Sequence, residues 1–283
     1  MNPRKTDKIN PSKKHASNSI YNFLRCVLYP IKLILPHHPV LLKLRDFNIY
    51  VHMNDWAVGA GIVLRREYEP HVTNILKSHL KSDDVMVDIG ANIGYHTLMA
   101  ASITDKTGKI IAFEPSTDNC RLLKQSAEKN NFTNIIIHQK AVTDKKQVVG
   151  FRMDDSNGAI STVSASSCPM QVESVFLDDV LKNEPRIDVI KIDTEGAEGL
   201  VIRGARNIIT RHHPAIITEF SPDALKAASQ INPETYLDTL RELNYKISVI
   251  DRKTRNALPA EDNAGIMRYF TQSQTDHIDL FVI

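Results

Sequence analysis

A doubly wound α/β domain on a mostly parallel sheet is predicted by three observations. Apolar runs of strand length alternate with helix-length stretches from about residue 84 onward. The first of these strands ends in an acid and runs into a glycine turn, VMVDIGANIGYHT over residues 85–97. The chain of 283 residues, 42% hydrophobic and 24% charged, has the apolar material for a sizeable core in one large domain or two small ones.

The elements follow in order. Asn48 to Met53 reads as a strand, and residues 69–79 as a helix with Val72, Ile75, Leu76 and Leu80 on one face. Strand Val85–Ile89 precedes a helix over 94–103, strand Lys109–Phe113 a helix over 116–129, and then comes Ile135–Gln139. The rhythm breaks over 144–180. There Val148–Arg152, a loop with Asp154, Asp155, Asn157 and Gly158, and Val172–Phe176 predict a small antiparallel insertion. The alternation resumes with Asp188–Ile192, a helix over 196–210, Ala215–Glu219, a helix over 233–243, Lys246–Ile250 and Ile278–Ile283. No stretch of clear helical period separates the last two runs, so the final strand is expected to pair antiparallel.

The net charge of +2 conceals an asymmetry. Residues 1–45 hold nine Lys or Arg against one acid, which leaves the remainder mildly acidic. Residues 1–19 read as a disordered polar tail. Residues 20–35 read as an amphipathic helix that packs on the domain or touches an anionic membrane surface peripherally. Arg25, Pro30 and Lys32 interrupt that run, which argues against a spanning helix. Cys26, Cys120 and Cys168 form no CxxC pair, so a disulfide framework is not expected and a reducing, cytoplasmic setting is.

Three motifs carry chemistry. In the first, Gly90 and Gly94 allow close backbone approach, and the amides that open the next helix favour negative oxygens. The second is KIIAFEP, in which Glu114 stands 26 residues after Asp88 at a strand end, placed for ribose hydroxyls, with Pro115 behind it. The spacing is not GxGxxG, and an acid precedes the first glycine. A nucleoside bearing an amino acid therefore fits better than a dinucleotide. The third is DVIKIDTEGAE, which places Asp193 and Glu195 at the mouth of the crevice, with Glu198 as a complement to a helix dipole. Glu219 closes the next strand. These carboxylates suit orienting a substrate, acting as a base, or holding a divalent metal through Asp193, Glu195 and Glu219.

The order VDIGANIGYHT, AFEP, Ala-Val at 141–142, IKIDTEGAE, RGA and HPAIITE resembles the FkbM family of methyltransferases over about residues 46–283. The resemblance implies a class I methyltransferase sheet of seven strands, order 3-2-1-4-5-7-6, with the last strand antiparallel. It implies S-adenosyl-L-methionine as donor and a hydroxyl of a small molecule or glycan as acceptor. By position, Asp88, Gly90, Asn92 and Gly94, with Ala91 in the same turn, would line the methionine end. Glu114 and Pro115 would stand at the ribose and Ala141 at the adenine. Asp193 and Glu195, assisted by Glu219, are the base candidates, with His96 and His138 as lesser ones, while His212 and His213 read as a solvated helix end. Asn157 and Gly158 are placed to contact substrate, and specificity is expected in 46–70, 150–175 and 252–276. A catalytically silent cofactor-binding scaffold is the alternative. A nucleic-acid partner is not expected, because the body is acidic and no base-flipping motif is present.

Overall fold

The computed structural model describes residues 38–56, 58–154, 157–161, 168 and 170–283. The expected tail and the helix over 20–35 lie outside them.

Eight strands form the central sheet. In chain order they are β3 (Val85–Ile89), β4 (Lys109–Phe113), β5 (Ile135–His138), β10 (Val189–Ile192), β11 (Ala215–Phe220), β12 (Ile247–Ile250), β13 (Ala257–Ala260) and β14 (Ile278–Val282). Across the sheet the order is β13-β12-β14-β11-β10-β3-β4-β5. Strands β5, β4, β3, β10 and β11 are parallel neighbours, and β14 runs antiparallel between β11 and β12. Without β13, this is the order 3-2-1-4-5-7-6.

Strands β3 and β10 are buried along their whole length because helices cover both faces. Period-two alternation sends Val85, Val87, Ile89, Ile111, Phe113, Ile190 and Ile192 into one core. That core is closed by α5 (Leu177–Val180), α6 (Glu198–Gly204), α7 (Arg206–His212), α8 (Pro222–Ala228), α9 (Pro233–Glu242) and α10 (Asn263–Ser273). Met86, Ile110, Ala112 and Ile217 face the opposite core. It is closed by α1 (Gly59–Arg65), α2 (Pro70–His79), α3 (Tyr95–Ile103) and α4 (Thr117–Lys129).

Three features depart from expectation. The boundary at 45/46 falls inside a hairpin of β1 (Val40–Lys43) and β2 (Asn48–Val51), which is tied to α4 through Asn48 N to Asn130 Oδ1 (2.7 Å) and Tyr50 N to Ser126 Oγ (2.9 Å). The final strand is antiparallel, but not for want of a helix. The segment between the last two runs holds both β13 and α10. An N-cap, Asp262 accepting from Gly265 N at 2.7 Å, opens α10, and Ile266 and Phe270 pack one turn apart. The helix expected over 196–210 is two helices that meet at Ala205. The insertion is a sheet of β6 (Ala141–Val142), β9 (Met170–Val175), β7 (Val148–Asp154) and β8 (Asn157–Ser161) in that spatial order.

Gly90 holds the turn after β3 at φ +77°, and a Cβ there would lie 1.7 Å from the Asp193 carbonyl oxygen. The glycine serves the approach of two strand ends, β3 and β10, at a point that also lines the cleft. Gly90→Ala is expected to destabilise the fold by at least about 3 kcal/mol in urea titration. Gly61→Ala, whose Cβ would meet only the flexible end of Arg65 within a helix, is expected to be neutral or mildly stabilising.

Candidate functional site

Parallel strands end at one edge of the sheet, and the order reverses between β3 and β10, which opens a crevice there. The cleft at that edge has two chemically different ends. One is walled by Gly90, Ala91, Asn92, Phe113, Glu114, Pro115 and Ala141. Asn92 adopts φ +53°, which turns its backbone N–H onto Glu114 Oε2 at 2.9 Å. Glu114 Oε1 accepts from Ser116 N (2.8 Å) and Asn119 Nδ2 (3.3 Å). Burial pushes Glu114 up to about 7 against these hydrogen bonds. A carboxylate offers about four lone-pair sites, so capacity remains for a hydroxyl donor from the cleft. With the apolar walls of Phe113, Pro115 and Ala141 alongside, these residues fit a nucleoside.

The other end is ionic. Lys191 is 4% exposed, and its ammonium lies 3.0 Å from Asp193 Oδ2 and 3.8 Å from Asp88 Oδ1. Burial works against that charge, but Asp193, Asp88 and Glu69 outweigh it and hold Lys191 protonated. Glu69, Glu195, Glu219, His96, Asp276 and His277 complete this wall. Burial, then the Asp193 charge, pushes Glu69 up to about 8 and Glu195 up to about 7. The same two causes raise Glu219 well above the usual carboxylate range. Glu195 stands at φ +53°, a strained conformation outside glycine.

Most of the expected site residues meet here. Gly90, Ala91, Asn92, Glu114, Pro115 and Ala141 line one end, and Asp193, Glu195, Glu219 and His96 line the other, with Asn157 and Gly158 on the insertion side. Asn92 Nδ2 donates to Asn157 Oδ1 at 3.1 Å, which ties the insertion to the turn. Several expectations change. Asp88 does not line the cleft. It is fully buried beneath the turn, accepts from Thr97 Oγ1 at 2.6 Å, and reaches the site through Lys191. Gly94 caps α3 at φ +90° without lining the cleft. His138 stacks on Phe113 at 4.7 Å outside the cleft lining. Glu198 caps its own turn, accepting from Thr194 N and Gly196 N. Among the described residues no three His, Cys, Asp or Glu side chains group as a metal site, so Asp193, Glu195 and Glu219 share a wall without forming a metal triad.

Glu69, Lys191, Asp276 and His277 were not expected from sequence. Lys191 had a signal, as a lysine inside a strand otherwise apolar on both faces and on the same face as Asp193. Glu69 and Asp276 fall in the segments 46–70 and 252–276 expected to carry specificity but were not singled out, and His277 had no signal, because folding brings all three from distant elements.

This sheet and the crevice at its switch point define a class I methyltransferase fold. The family model described as the methyltransferase FkbM domain matches residues 88–247, and the chain belongs to that family. It is 26% identical over 145 residues to the hexuronic acid methyltransferase AglP of Haloferax volcanii, covering 50% of this chain and 58% of that protein. It is 29% identical over 147 residues to methyltransferase 1 of Beauveria bassiana, covering 43% of this chain and 58% of that one. The matches thus span under two thirds of each relative. Among solved structures, the methyltransferase FkbM of Methylobacillus flagellatus is similar at TM-score 0.46 and 18% identity, over 72% of this chain and 44% of that one. Fibrillarin of Aeropyrum pernix, solved with S-adenosyl-L-methionine bound, is similar at 0.44 and 12%, over 75% and 73%. No helix of the described residues is long and apolar enough to cross a membrane.

Two predictions follow from the charges. Lys191→Met leaves Asp88 buried without its cation and is expected to cost about 3–5 kcal/mol in urea titration. The carboxyls of Glu69, Glu114 and Glu195 are all raised on folding, so their contribution is complete below about pH 4.5 and is lost as pH rises through 7 to 8. The protein without ligand is expected to show a lower Tm at pH 9 than at pH 6, and combining Glu69→Gln with Glu195→Gln should flatten that slope.

Proposed function

We propose that this chain is an S-adenosyl-L-methionine-dependent methyltransferase that acts on a hydroxyl oxygen of a sugar or other polyhydroxylated molecule, free or within a glycan. The observation that carries the reading is the two-ended cleft, with a nucleoside-type wall around Glu114 running directly into an ionic wall around Lys191. The cofactor, when bound, supplies a methyl group already activated for transfer.

The residues then have two tasks. Glu114, steadied by Asn92 N, Ser116 N and Asn119, accepts from ribose hydroxyls, while the turn Gly90–Ile93, whose N–H groups are engaged within the protein, offers carbonyl oxygens to an ammonium at the amino-acid end. Asp193, Glu195 and Glu219 offer carboxyl groups to acceptor hydroxyls, each able to donate or accept according to its protonation. Holding the acceptor oxygen in line is the larger part of the work, since well-oriented reactants gain about 7–11 kcal/mol over free encounter. The hexuronic acid specificity named for the relative of Haloferax volcanii supports a sugar as acceptor.

Calorimetric titration with S-adenosyl-L-methionine tests the reading. Micromolar binding by the wild type is expected, weakened roughly tenfold or more in Glu114→Ala, as the loss of charge-assisted hydrogen bonds requires. Transfer of labelled methyl to methyl glycosides of neutral and uronic hexoses then tests the acceptor class. A folded protein that binds no cofactor would overturn the proposal.

A further inference from the structure

We propose that His96 takes the proton of the acceptor hydroxyl through Nδ1, the ring nitrogen that faces Glu69. This rests on the reading of the cleft as that of a hydroxyl-directed methyltransferase.

His96 is 3% exposed yet lines the cleft, and Tyr95 and Tyr68 flank its ring at 5.4 and 5.9 Å between centroids. Its Nε2 lies 3.3 Å from Thr73 Oγ1. Thr73 has a single O–H, and that donates to the Tyr68 carbonyl at 2.9 Å. Thr73 can therefore only accept from the ring, so Nε2 carries the hydrogen and Nδ1 the lone pair. Burial, reinforced by Lys191 and His71, holds the ring well below the ordinary histidine range, so it is neutral at pH 7.

The only ion-pair partner recorded for Nδ1 among the described residues is Glu69 Oε2, at 4.0 Å, beyond hydrogen-bond reach. Nδ1 is thus a base within a buried wall of the cleft. Glu69 is held there in a strained backbone conformation by its neighbours. It stands at φ +40° before Pro70, and its carbonyl accepts from Thr73 N at 2.9 Å. Thr73 therefore fixes both the tautomer and the backbone that carries Glu69.

Among the carboxyl groups on the same wall Glu195, pushed up to about 7, is the rival base, and the other three suit the task less well. Asp193 is engaged by Lys191 at 3.0 Å. Burial and the Asp193 charge push Glu69 up to about 8 and raise Glu219, which favours their acid forms, and a carboxylic acid donates where a base must accept. In the reaction the acceptor O–H bond breaks and its proton passes to Nδ1. The oxygen's electron pair forms the O–CH3 bond, the methyl–sulfur bond breaks with its pair remaining on sulfur, and His96 later returns the proton to solvent.

The first test needs no acceptor. Nitrogen-15 correlation spectra of histidine-labelled protein at pH 7 should show His96 with a bare Nδ1 and a protonated Nε2. Thr73→Val should let the second tautomer appear, and Thr73→Ser should restore the first. A proton on Nδ1 in the wild type, or a charged ring, overturns the assignment.

The second test uses S-adenosyl-L-methionine with methyl glycosides. His96→Ala is expected to lower kcat roughly 100- to 10,000-fold while the cofactor Kd stays within twofold, and thermal melting confirms that the variant folds. Turnover within threefold of wild type overturns the role. A wild type that binds cofactor but methylates none of these hydroxyls counts against the hydroxyl-acceptor reading itself, while the spectrum still decides the tautomer.

Discussion

Lys191 lies within a strand covered on both faces, where an isolated ammonium would be costly to bury. Asp88 on the neighbouring strand is its direct register partner, Asp193 follows two residues later on the same face, and Glu69 adds its charge from the entrance to α2. Asp88 in turn accepts from Thr97 and so anchors α3. One cation thereby joins two central strands to the helix that follows the glycine turn. Without it, the acids gathered at this strand end would face one another in a dry site. Burial first, and the Asp193 charge second, raise the carboxyl groups of Glu69, Glu195 and Glu219 there.

The same face carries a line of polar groups across the sheet. Glu219 on β11 is paired in register with Asp279 on β14, and Asp279 accepts from His71 of α2 at 2.7 Å. Helix α2 is thus held to the antiparallel half of the sheet through Asp279 and brought to the parallel half through Glu69. Its N-terminus comes to roof the ionic end of the cleft. At the opposite end, the hydrogen bond from Asn92 to Asn157 brings the insertion against the cofactor-type turn. The cleft is assembled from three directions around a fixed strand edge, and separate segments govern its two chemical characters. This division suits a family fold in which loops vary while the sheet stays constant.

The strand-and-turn pattern was legible because it is local. Burial on both faces makes β3, β4 and β10 read as short apolar runs, and the acid at each strand end marks the crevice. Helix α10 and strand β13 were not, because Leu258 and Pro259 are exposed on an edge strand and α10 has a modest apolar face. The antiparallel final strand was anticipated for a reason that the structure does not share. Gly90 was read as room for a ligand, whereas the Asp193 carbonyl occupies the space a side chain would need.

From its residues alone, this chain declares its sheet, the position of its crevice and the acids that border it, since all of these depend on period-two burial and on what a chain does within a few residues of a strand end. It does not declare which acids face the ligand. Asp88 sits in the most recognisable motif and lies buried behind Lys191 without lining the cleft, while Glu69 and His277, in no motif at all, line it. Protonation belongs to the same class of fact. Whether Glu195 is charged or His96 neutral depends on how much water the packed helices exclude and which charges folding sets beside them, and only the three-dimensional arrangement supplies both.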